Sequence, residues 1–242
     1  MSGHSKWKNI QRTKGAQDAK RGKVFTKIAR EMIVAVKEGG GDPANNSRLA
    51  VAIAKAKAAN MPGDNIKRTI DKALGSGSGD SYERVAYEGY GPGGVAVIVE
   101  AMTDNRNRTA AEVRHHFDKY GGKMGAAGCV SWSFDRKGVI AVDNEDGELD
   151  EDQVLLDAIE AGAGDVEVDD GVFEVFTAPD DFTSVNNILE AAGYKFLSAQ
   201  VEMVPQNYVA LTDPADVKNM EKMLELLEDS DDVQNVWHNY SG

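Results

Sequence analysis

The chain predicts an α+β multidomain protein: an N-terminal three-helix bundle followed by two ferredoxin-like βαββαβ sandwiches, one inserted in the other. Three observations carry this expectation. Apolar residues recur at helical spacing up to residue 74, a Gly/Ser run then interrupts the chain, and beyond it short Val-rich runs alternate with amphipathic stretches closed by glycine. With 242 residues and 41% hydrophobic content, the chain is long enough for two or three small cored domains.

In the first helix, Phe25, Ile28, Ala29, Met32 and Val36 share one stripe, Lys23, Lys27 and Arg30 lie off it, and Gly39-Gly40-Gly41 ends it. Asp42-Pro43 is placed to cap and open a second helix, whose stripe is Leu49, Ala52, Ile53 and Ala56. After the break at Asn60-Met61-Pro62-Gly63, the residues Ile66, Ile70 and Leu74 suit a short third helix. Residues 23–74 are thus the helical domain, residues 1–22 a basic flexible arm before it, and residues 75–80 a Gly/Ser linker after it.

Past the linker, Val95, Val97 and Val99 alternate along a strand. The helix that follows has Thr109 and Glu112 as a capping box, buries Ala110, Val113 and Phe117, and ends at Gly121-Gly122. Cys129 to Phe134 predicts a second strand. A full strand-helix-strand-strand-helix-strand set runs from Gly138 to about Val204, with its middle strands joined at Asp170-Gly171 and its second helix, carrying Phe182, Val185 and Leu189, stopped by Gly193. A strand at Tyr208–Leu211, a helix with Val217, Met220, Leu224 and Leu227 on one side, and a strand from Val233 to Tyr240 close the chain. Alone, this last half-unit leaves its sheet unfinished. Residues 81–137 plus 205–242 are therefore expected as one discontinuous α/β domain, and residues 138–204 as the domain inserted in it.

Charge is the strongest functional signal. Lys6, Lys8, Arg12, Lys14, Lys20, Arg21, Lys23, Lys27 and Arg30 face a single acid, Asp18, in the first thirty residues, on a chain whose net charge is −13. Residues 138–242 hold three bases against 26 acids. A basic arm is held at phosphates while an acidic body is repelled, so the asymmetry points to a polyanionic partner. Trp7, between Lys6 and Lys8, can stack on an unpaired base. The competing reading is a solvated basic tail. A second candidate contact is Asn105-Arg106-Asn107-Arg108, which opens the central helix, with Lys123 past its other end. Arg and Asn at a helix N-terminus suit phosphate and base-edge contacts, and they equally suit capping and surface salt links.

Other chemistries find no support. Gly89-x-Gly91-x-x-Gly94 spells a dinucleotide fingerprint, but Pro92 sits inside it and a Val-rich strand follows where a helix is required. A calcium loop over Asp143–Asp152 would put Val142 first and Gln153 twelfth, where carboxylates belong. His4, His115, His116 and His238 form no ligand cluster, and no nucleophile stands beside a base, so neither a metal, a cofactor nor an enzyme is expected. Cys129 is the sole cysteine, residues 1–30 lack the apolar stretch expected of a secretory signal, and no apolar run approaches the roughly 20 residues that span a bilayer. A cytoplasmic monomer away from membranes is the expectation.

Longer segments carry a resemblance. Ser2-Gly3-His4-Ser5-Lys6-Trp7-x-Asn9-Ile10, Ala16-Gln17-Asp18-Ala19-Lys20-Arg21-Gly22-Lys23, Tyr87-Glu88-Gly89-Tyr90-Gly91-Pro92, Thr103-Asp104-Asn105-Arg106-Asn107-Arg108-Thr109 and Val233-Gln234-Asn235-Val236-Trp237-His238-Asn239 resemble the YebC family across essentially the whole chain. The departures are small: Lys8 stands where Ala is frequent, Ser47 where Pro is common, and Cys129 where Ser is frequent. The resemblance implies a cytoplasmic three-domain protein, a helical domain followed by two α/β domains. Members are described as DNA-binding transcriptional regulators, and relatives, including the mitochondrial translational activator of cytochrome c oxidase, as ribosome-associated translation factors. The leading expectation is a non-enzymatic regulator of gene expression that binds DNA. Its rivals are a translation factor bound to ribosomal RNA on the ribosome and, from a different class, a small-molecule sensor.

Overall fold

Three helices open the part of the chain that the computed structural model describes, which comprises residues 17–75, 82–144, 146–169 and 171–241, without the side chains of 17–21 and 169. They are α1 (Gln17–Gly39), α2 (Ser47–Ala58) and α3 (Gly63–Gly75). Ile28, Met32 and Val36 of α1 pack on Leu49, Ala52 and Ala56 of α2 and on Ile66 and Ala73 of α3. Because α1 starts at Gln17, residues 17–22, expected in the arm, are helical. Leu74 is 60% exposed, and Ala73 takes the core position expected of it.

The entry to α2 also differs from expectation. Asp42 forms a turn, accepting from the Ala44 amide at 3.0 Å and the Asn45 side chain at 2.7 Å. The N-cap is Asn46, buried, whose Oδ1 accepts from the Leu49 amide at 3.1 Å. Its Nδ2 donates to the carbonyls of Ala35 at 2.7 Å and Gly40 at 2.8 Å, so one side chain serves both the start of α2 and the end of α1. Asn46→Ala removes the cap and takes a donor from the buried Ala35 carbonyl, and should cost about 2–4 kcal/mol. A urea titration followed by circular dichroism checks this, and Asn46→Ser, which keeps the acceptor, should lose less.

The described chain clusters into two units: the residues up to 130 with 211–238, and residues 131–210 with those from 239 on. The first unit holds the helices above and a four-stranded antiparallel sheet of β1 (Glu83–Tyr90), β2 (Ala96–Thr103), β3 (Lys123–Met124) and β8 (Val233–His238), in the order β3-β1-β2-β8. Its helices are α4 (Arg106–Lys119) and α7 (Pro214–Asp229). Two of its strands are not the expected ones. Residues 208–211 make only a single bridge, Val209 to Tyr240, and their place beside β2 is taken by β1 from earlier in the chain. The β1–β2 pairing runs from Glu83↔Thr103 to Tyr90↔Ala96 through a turn with Gly93 and Gly94 at positive φ, and such a local hairpin closes with far less entropy loss than a strand that returns after roughly a hundred residues.

Residues 129–134 do not form a strand of this sheet because Glu88 of β1 holds the preceding segment as a loop. Its carbonyl accepts from the Gly125 amide at 2.8 Å, and its carboxylate accepts from the amides of Gly128 at 2.8 Å and Val130 at 2.9 Å. The short β3 pairs instead, against Gly89, where a Cβ would stand 2.6 Å from the Lys123 carbonyl. With these two replacements the spatial order keeps the ferredoxin-like arrangement.

The second unit carries β4 (Phe134–Asp143), α5 (Glu151–Ala161), β5 (Asp165–Asp169), β6 (Val172–Thr177), α6 (Phe182–Ala191) and β7 (Phe196–Pro205). Its antiparallel sheet has the order β5-β6-β4-β7. The β5–β6 hairpin has Asp169↔Val172 as its last pair, with Gly171 at φ +81°. Ile140, Val142, Phe173 and Val175 of the sheet pack against Val154 and Ala158 of α5 and Val185 and Leu189 of α6. All six elements fall between β3 and α7 of the other sandwich. Among the described residues no helix is long and apolar enough to cross a membrane.

Candidate nucleic-acid interface

Of the basic arm, Lys6, Trp7, Lys8, Arg12 and Lys14 lie outside the described residues, and Lys20 and Arg21 are described only as backbone of the first turns of α1. Lys23, Lys27 and Arg30 follow at helical spacing, on one face of α1. That face meets the C-terminal end of α7, which has no base in its own last turn. Lys27 Nζ donates to the Glu228 carbonyl at 2.7 Å, and Lys23 Nζ donates to the Asp229 carbonyl at 3.1 Å and pairs with its carboxylate at 2.6 Å. Two ammonium groups thus satisfy the open carbonyls at the negative end of the helix dipole. Burial pulls the Lys27 ammonium below its usual pKa, against the opposing charges of Glu228, Asp231 and Asp229.

Arg30 reaches further. Its guanidinium lies over the Tyr82 ring, 5.2 Å from the centroid, donates to the Asp231 carbonyl, and pairs with Asp232 at 2.6 Å. Asp232 is buried, and its other oxygen accepts from Arg108 at 2.9 Å, Thr109 at 2.7 Å and Thr103 at 3.3 Å. Burial would raise the Asp232 pKa. The hydrogen bonds from Thr109 and Arg108, with the charges of Arg30 and Arg108, outweigh it and hold the carboxyl below its ordinary value. One carboxylate therefore links α1, the end of β2 and the start of α4. Sequence reasoning missed it, because Asp229-Ser230-Asp231-Asp232 reads as a solvated turn and nothing within the run distinguishes its last member.

The start of α4 is also rearranged relative to expectation. Asn105, not Thr109, is the N-cap, its side chain accepting from the Arg108 amide at 3.1 Å, so the helix begins at Arg106. Thr109 is buried inside the first turn with its hydroxyl on Asp232 and Thr103. Arg108 pairs with Asp104 at 2.8 Å as well as with Asp232, and its guanidinium is held above its usual pKa first by the hydrogen bond to Asp232 and then by that to Asp104. Arg106 and Asn107 are exposed, with Glu83 3.7 Å from the Arg106 guanidinium. Lys123 is exposed on β3, beyond the far end of α4 and about 20 Å of helix away from Arg106.

The structure thus brings Lys23, Lys27, Arg30 and Arg108 together around residues 228–232, leaves Arg106 and Asn107 facing solvent beside them, and sets Lys123 apart. In the helical region, a cleft of about 280 Å³ between α1 and α3 is lined by Phe25, Met61, Asn65 and Arg68, among others. Among the described residues no group of His, Cys, Asp or Glu is arranged to hold a metal ion.

Comparison with known proteins agrees along the whole chain. Residues 5–76 match the family model of the TACO1/YebC protein N-terminal domain, and residues 82–240 that of the TACO1/YebC second and third domain. A "Probable transcriptional regulatory protein" of Acetivibrio thermocellus is 56% identical over 242 residues, covering 100% of both chains. Another of that description, from Geobacillus kaustophilus, is 56% identical over 239 residues, covering 99% of this chain and 97% of its own. A crystal structure of a conserved hypothetical protein from Aquifex aeolicus superposes with a TM-score of 0.83 at 48% identity, covering 92% of this chain and 91% of that one.

Proposed function

Since this chain belongs to the TACO1/YebC family, we propose that it is a DNA-binding regulator of transcription, acting in the cytoplasm as a monomer by occupying its target rather than by catalysing a reaction. The name borne by its relatives supports the regulatory part. The observation that carries the nucleic-acid part is the charge polarity, a strongly basic beginning on a chain of net charge −13. Lys23, Lys27, Arg30 and Arg108 are engaged by α7, Asp104 and Asp232, so in this reading the phosphate contacts fall to the bases of residues 6–21 and to Arg106. The acidic remainder is repelled by the same phosphates, which orients the complex.

One observation favours ribosomal RNA as a second reading. Arg68 of α3 borders a cleft with Phe25 and Asn65, a shape better matched to a splayed-out base than to a paired one. Filter binding to duplex DNA and to a ribosomal RNA stem-loop separates the two. Duplex affinity equal to or above the stem-loop's supports the first reading, and binding to the stem-loop alone overturns it.

Arg106→Gln tests the second contact. Binding should weaken by about 1–2 kcal/mol if the guanidinium meets phosphate. Melting should hardly move, since an exposed ion pair contributes about 0–1 kcal/mol. Arg108→Gln is the contrasting variant, because it also removes a bond to buried Asp232 and should lower the melting temperature.

A further inference from the structure

Helix α5 carries two apolar stripes. Val154, Ala158 and Ala161 form the inner one, all buried in the core of the inserted domain. Leu155, Leu156 and Ile159 form the other and are 40%, 50% and 57% exposed. At about 100° per residue, Leu156 and Ile159 lie on the side away from the core and Leu155 on the flank leading to it. A surface helix needs one apolar stripe and carries polar residues opposite it. Single exposed aliphatics are ordinary, whereas three at adjacent helical positions make a patch.

The charge around the patch decides what can cover it. Residues 131–210 hold 19 acids against three bases, and Asp152 and Glu160 flank the stripe on α5 itself. Nucleic acid and anionic bilayers are repelled by such a body, and a second copy would bring the same negative charge to the same face. A cationic partner is attracted. The helix is about 16 Å long, too short for a standard interface of about 1,600 Å², so the occupant is itself small. We infer that the outer face of α5 docks a short cationic amphipathic helix of a partner protein. The apolar side of that helix lies on Leu155, Leu156 and Ile159, and its bases lie toward Asp152 and Glu160. This site is independent of the nucleic-acid contacts.

The test titrates the full-length protein into a fluorescent Leu/Lys peptide of about five turns with its leucines on one face, and into a scrambled peptide of the same composition. At near-physiological salt, Leu155→Gln/Ile159→Gln should weaken binding of the amphipathic peptide by about tenfold or more while melting like the wild type. The scrambled peptide should bind the wild type no better than the amphipathic peptide binds the variant. Should the double variant fail to fold, Ile159→Lys alone is measured in the same titration and should show the same direction. Equal binding by wild type and variant, or by both peptides, overturns the inference. So does a wild type that dimerises in sedimentation equilibrium while the variant does not, or one that binds phosphatidylglycerol vesicles through this face.

Discussion

Asp232→Ala should cost about 3–5 kcal/mol of stability, the scale of removing one partner from a buried charged network. The carboxylate is buried and holds Arg30 at 2.6 Å, Arg108 at 2.9 Å and Thr109 at 2.7 Å. Its loss leaves the part-buried Arg30 guanidinium without its anion and takes an acceptor from the buried Thr103 and Thr109 hydroxyls. Asp232→Asn keeps two acceptor lone pairs and should lie between wild type and Asp232→Ala. The pH dependence has a definite sign. The folded-state carboxyl lies below its ordinary value, so its contribution is full above that value and is lost as pH falls through the folded one. Below about pH 4 the wild type should therefore lose stability more steeply than Asp232→Asn, in urea titrations repeated down the acid range.

Removing residues 1–16 should flatten the dependence of log K on log salt by about three to four units. The deletion takes away Lys6, Lys8, Arg12 and Lys14, and each phosphate contact on duplex DNA contributes roughly 0.9 to the slope. Between low and near-physiological salt this amounts to a change in affinity on the order of a hundredfold. The deletion ends where α1 begins, so the cluster of Ile28, Met32, Leu49 and Ala56 is untouched and melting should be unchanged. Wild-type affinity and slope in the truncated protein would move the grip elsewhere.

The sequence made most of the fold legible because core stripes repeat at the period of their element. Phe117, Val185, Leu189 and Leu227 are buried where the periodicity puts them. What it hid depends on contacts distant along the chain. Strand β1 reads poorly because Glu83, Arg84 and Glu88 interrupt its alternation, and Glu88 is buried only because the amides of Gly128 and Val130 meet it. Asn46 and Asn105 displaced Asp42 and Thr109 as caps, since several Asx and Thr residues stand near each helix start and only the chain's path selects among them. The same limit applies to the candidate site. A run of basic residues announces affinity for anions without distinguishing phosphates from the end of a helix in the same chain, and Lys23, Lys27 and Arg30 meet the latter.

Ultraviolet crosslinking in growing cells, with recovery of both DNA and RNA bound to the protein, identifies which nucleic acid the basic arm holds. DNA binding through the basic arm predicts that the full-length chain is recovered on discrete DNA sites and that deleting residues 1–16 abolishes the recovery without lowering the level of folded protein. Crosslinks confined to ribosomal RNA in sedimenting ribosomes, or recovery of DNA that is indifferent to the deletion, would contradict it.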